Sequence, residues 1–109
     1  MKYFFGLILI FISSISFGTY ILIPMDDVQT DHLKSYGITY WILQNGIEAS
    51  WLLNYRGGSF ITEYNSDIEE ECIIRGVTYD VIADAKAEAI FAEIAQPDMN
   101  MDRVKLEKA

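Results

Sequence analysis

The chain has 109 residues, enough for one small domain. Its 16 acidic and 8 basic residues give a formal charge of −8, a surface that repels phosphate backbones and excludes nucleic acid as a partner. The one cysteine, Cys72, excludes an intrachain disulfide and a cysteine-based zinc site made from this chain.

Met1-Lys2 supplies a positive charge, and Phe4 to Ile12 is almost entirely large and apolar. Ser16 and Gly18 are spaced like the small residues before a cleavage point, so residues 1–18 read as a signal peptide with Thr19 as the new terminus. The expected location is outside the cytoplasm, in the periplasm or cell envelope. The rival is an uncleaved anchor: the uncharged run Tyr3 to Ile23 reaches the ~20 residues that span a bilayer, and only then would the inner membrane be a partner. Ser13-Ser14-Ile15-Ser16 thins the apolarity where an anchor would be strongest and favours cleavage.

Residues 19–96 read as an α/β domain. Tyr20 to Ile23 is a short apolar strand ended by Pro24. Asp27 is placed to cap a helix running from Val28 to Gln44, with Leu33, Tyr36, Tyr40 and Leu43 on its inner face. Gly37 within that face would let the helix approach a sheet closely, and Asn45-Gly46 ends it. Ile47 to Tyr55 alternates as a strand, which makes a right-handed crossover between parallel strands the default.

Ser59 to Thr62 is a further strand. Ser66 and Glu69 form a capping box for a helix that ends at Gly76, with Ile68 and Cys72 on one side. Val77 to Ile82 alternates again, and Asp84 opens an alanine-rich helix with an apolar stripe of Ala87, Ile90, Phe91 and Ile94, stopped by Pro97. Residues 97–109 are polar, with a weak strand signal at Val104-Lys105-Leu106, and read as a linker toward a missing carboxyl-terminal domain. The expectation is a small layered α/β domain in the order β-α-β-β-α-β-α, mostly parallel.

In such a sheet, ligands bind beyond the carboxyl ends of the strands. Asp26 and Asp27 after the first strand, and Asn54, Arg56, Gly57, Gly58 and Ser59 after the next, would then share one rim and could hold a small anion or carboxylate. The simpler reading makes Gly57-Gly58 a hairpin turn and Arg56 a solvated side chain. No metal motif is present, and Asp26-Asp27 reads better as a helix cap than as a ligand pair. His32 and Cys72 could be paired as base and nucleophile, but Cys72 sits on the inner face of its helix and reads as a structural thiol. No catalytic residue and no cofactor are assigned.

Ile21-Leu22-Ile23-Pro24-Met25-Asp26, His32-Leu33-Lys34-Ser35-Tyr36-Gly37 and Trp51 to Phe60, with Glu93 to Asp98 and Val104 to Lys108, carry a resemblance. Together they resemble the amino-terminal part of an exported bacterial family catalogued as asparagine synthetase B. The resemblance implies a following domain similar to class I glutamine amidotransferases, with this segment packed on it. It carries over no catalytic residue. Glutamine-hydrolysing synthetases use an amino-terminal cysteine, and position 2 here is Lys2.

Overall fold

Residues 19–107 are described by the computed structural model, so the signal reading of residues 1–18 lies outside the described residues. The first described element is the strand β1 (Thr19–Ile23). After it come α1 (His32–Gln44), β2 (Ala49–Leu53) and β3 (Ser59–Glu63). α2 (Ser66–Arg75), β4 (Asp80–Ala83), α3 (Asp84–Ile94) and β5 (Asp102–Leu106) complete the order.

The sheet has five strands in the order β4-β1-β3-β2-β5, and every neighbouring pair is antiparallel. This corrects the expected mostly parallel sheet. The cause is the turn at residues 54–58, which folds β3 back on β2 and delivers it between β2 and β1. Phe60 faces Ile23 on one side and Trp51 on the other. The first crossover therefore skips a strand: β1 and β2 run the same way, but β3 lies between them. Through β4 this is a split βαβ arrangement. Residues 102–106, read as part of a linker, form the outer strand β5 against β2.

Alternation along the strands divides the core in two. Ile21, Ile23, Ala49 and Phe60 face α1 and α2, where they meet Ile38, Ile42, Ile68 and Cys72. Leu22, Leu52 and Ile61 face the other way and are covered by Ala87, Ile90 and Ile94 of α3. Each buried isoleucine, leucine or phenylalanine among them contributes on the order of 1.5–3 kcal/mol by leaving water.

Several local expectations are corrected. α1 begins at His32, and its cap is Asp31, which accepts from the Lys34 amide at 2.9 Å. Its buried face is Ser35, Ile38, Thr39 and Ile42, whereas Leu33 is 80% exposed. Ser35 and Thr39 tolerate burial because their hydroxyls donate to the carbonyls of Asp31 and Ser35, at 2.8 and 3.0 Å. A Cβ at Gly37 would meet the guanidinium of Arg75 on α2, so that glycine faces the neighbouring helix and not the sheet. Asn65, not Ser66, caps α2, and α3 starts at Asp84 without a side-chain cap.

Residues 24–31 are held by a buried Gln29, whose amide donates to the carbonyls of Pro24 and Thr78 and accepts from the Thr78 amide. Thr30 adds bonds to Gly76 and Thr78, so the loop after β1 is braced against the loop before β4.

Candidate functional site

Because β1 and β2 point the same way, the loops that follow them open on one rim. The backbone joins them first: the Met25 amide donates to the Arg56 carbonyl at 3.2 Å. The side chains follow. Arg56 donates from Nε to Asp26 Oδ2 at 2.7 Å, and its Nη1 lies 3.8 Å from Asp80 at the start of β4. The guanidinium holds the Asp26 carboxyl below the usual aspartate range, assisted by the Val28 amide bonded to Oδ1. Asp26 in turn raises the already high pKa of Arg56.

The turn that presents Arg56 is conformationally demanding. Asn54, Arg56, Gly57 and Gly58 all have positive φ, at 65°, 46°, 81° and 89°. Only glycine fits at 57, where a Cβ would lie 2.5 Å from the Met25 carbonyl oxygen. Arginine in the left-handed region is uncommon, and its ion pair with Asp26 helps hold it there. Gly58 gives its carbonyl to the Trp51 indole N–H at 3.1 Å. Ser59, fully buried, donates to the Arg56 carbonyl. Asn54 turns away and donates to the Asn100 carbonyl ahead of β5, at 2.8 Å. Asp27 is exposed and stands outside this network.

Of the seven residues expected at the rim, Asp26, Arg56, Gly57, Gly58 and Ser59 thus form one corner, while Asn54 and Asp27 face elsewhere. Within the corner, Arg56 Nε, the Asp26 carboxylate, the Ser59 hydroxyl and the Met25 and Gly58 amides are engaged within the protein. An incoming anion would compete with Asp26 for Arg56 and would face Asp80 as well.

His32 joins the same rim. Its Nε2 lies 3.1 Å from the Met25 carbonyl and 3.0 Å from the Asp26 carbonyl. Two acceptors require this nitrogen to carry the proton. Cys72, on the inner face of α2, is wholly buried, and burial pushes its thiol up to about 11, as for a structural thiol. Beside it Glu69, read as a cap partner, instead accepts the phenol protons of Tyr64 at 2.6 Å and Tyr79 at 2.7 Å. Those bonds lower the Glu69 pKa, and the bond to Glu69 pushes Tyr79 up to about 12. No cluster of three or more metal-ligating side chains occurs among the described residues. No described helix is long and apolar enough to cross a membrane.

Two surfaces escaped the sequence reading. One is aromatic. Tyr36 and Tyr40 of α1 are 56% and 54% exposed beside Leu33, and Tyr36 meets Phe60 edge-on with ring centres 5.9 Å apart. Phe60 stacks on Trp51 of β2, which pairs with Val104 of β5, and both of these are partly open. The other lies on the opposite face, around Arg103. Its guanidinium sits 3.8 Å over the Phe91 ring, and its Nε donates to Ser50 Oγ at 3.2 Å. The nearest signal for Arg103 was the weak strand run Val104-Lys105-Leu106, too short to separate from a linker.

Compared with protein-family models, curated proteins and solved structures, the chain shows no significant match. The likeness to the asparagine synthetase B family therefore rests on the quoted residues alone.

Proposed function

We propose that this chain is a non-catalytic α/β packing module of an exported protein resembling the asparagine synthetase B family. It offers the side of α1 and the adjoining strip of β2 and β5 to a neighbouring amidotransferase-like domain. The observation that carries this reading is the exposed set Leu33, Tyr36, Tyr40, Trp51 and Val104, joined through Phe60. Contiguous aromatic surface of this kind marks protein contacts more often than it occurs on free surfaces. The engaged corner at Arg56 agrees with a structural role for the loops that the sequence had offered as a ligand site.

The test is maleimide labelling of a Tyr40→Cys variant, since Cys72 is buried. Labelling is compared between the isolated chain and the longest natural polypeptide that contains it. Rapid labelling of the isolated chain and protection in the longer product support the reading. Equal labelling in both overturns it, as does glutaminase activity in the isolated chain.

A further inference from the structure

We propose that the sheet face bearing α3 carries a binding site for a small zwitterion, with Arg103 taking its carboxylate and Glu63 its ammonium group. The site lies on the face away from the aromatic surface. Three arginines are present, and their surroundings differ. Arg56 is paired with Asp26 and Asp80, and Arg75 with Glu71 at 2.9 Å. No ion pair of Arg103 is found among the described residues. Its guanidinium is nonetheless held in place, by the Phe91 ring beneath it and by Ser50 at Nε. A planar fork fixed on an aromatic platform with its remaining N–H groups open is the arrangement that receives a carboxylate in two parallel bonds.

The opening beside it is a cavity of about 70 Å³ lined by Tyr20, Glu48, Ser50, Thr62, Glu63 and Arg103. A single water needs roughly 10–15 Å³ of such space, so the opening takes several waters or a molecule of glycine's size. Its charges select the ligand. Glu48 is partly answered by Lys105 at 3.6 Å, but no ion pair of Glu63 is found among the described residues. The Tyr20 hydroxyl is raised by burial first, then by Asp84, Glu63 and Glu88, with Arg103 opposing them. A plain anion reaching Arg103 would meet this negative field, and a plain cation reaching Glu63 would meet Arg103. A molecule with a carboxylate at one end and an ammonium at the other meets both complementarily.

The experiment is titration of the ¹⁵N-labelled full chain with glycine, acetate and methylammonium, followed at the amides of Ser50, Glu63 and Arg103. Saturable shifts with glycine are expected, with acetate and methylammonium at least tenfold weaker. Arg103→Ala should abolish the glycine shifts, and Glu63→Gln should weaken them about tenfold. Absence of saturable shifts in the wild-type chain overturns the proposal without reliance on any variant. So does equal binding of acetate, or glycine binding that survives in Arg103→Ala.

Discussion

Arg56 and Arg103 occupy opposite situations on one sheet. Arg56 is held by a carboxylate from the loop after β1 and a more distant one at the start of β4, in a backbone conformation that arginine seldom adopts, and it closes a corner. Arg103 is fixed by a ring and a hydroxyl in an ordinary strand, and its charge faces outward. The same side chain is structural where its charge is answered inside the protein and available for recognition where it is not. The difference lies in the partners, which a residue's identity does not reveal.

Stability measurements can break or sharpen this contrast. The largest effect should come from Gly57→Ala, which forces a Cβ against the Met25 carbonyl at positive φ. We expect a loss of about 2–4 kcal/mol in urea unfolding. A near-neutral result would mean that the corner is not rigid.

The Asp26 pair should show itself in acid. The folded pKa of Asp26 is lowered, so its contribution is full above its unfolded value of about 4 and is lost as pH falls through the folded value. Asp26→Asn should therefore lose less stability than the wild type between about pH 5 and pH 3, the window set by that direction. Some acid sensitivity persists in the variant, because Glu69 is lowered in the same direction. An unchanged pH profile would remove Arg56 from the corner's support. The smallest effect belongs to Arg103→Ala, where loss of one exposed ring contact should cost about 0.5–1 kcal/mol. A larger loss would make Arg103 another structural arginine and erase the contrast.

The order of strands and helices up to Ile94 was legible because short apolar runs, glycine stops and Pro24 punctuate the chain. Strand direction was not. A right-handed crossover looks the same in sequence whether its second strand lies next to the first or one place away. The glycine pair at 57–58 held the answer, since a hairpin there sends β3 back toward β1. The buried face of α1 was misread because Ser35 and Thr39 count as polar until their bonds to the preceding turn are seen, while Tyr36 and Tyr40 count as core. Asp26 and Arg56 could be brought to one rim from sequence because that required only that two strands share a direction. Their mutual neutralisation could not be read, since it depends on a contact between side chains thirty positions apart.

β5 has a consequence for how the protein behaves at high concentration. Without this strand, β2 would present Ala49-Ser50-Trp51-Leu52-Leu53 as a bare, apolar, hydrogen-bonding border, a template for self-association. With it, the outermost backbone on that side carries Asp102, Arg103 and Lys105, whose charges discourage further strand addition. A stretch that passes for a tether in the sequence covers the border of β2. Trimming it at Pro97 would yield a chain that folds less well and precipitates more readily.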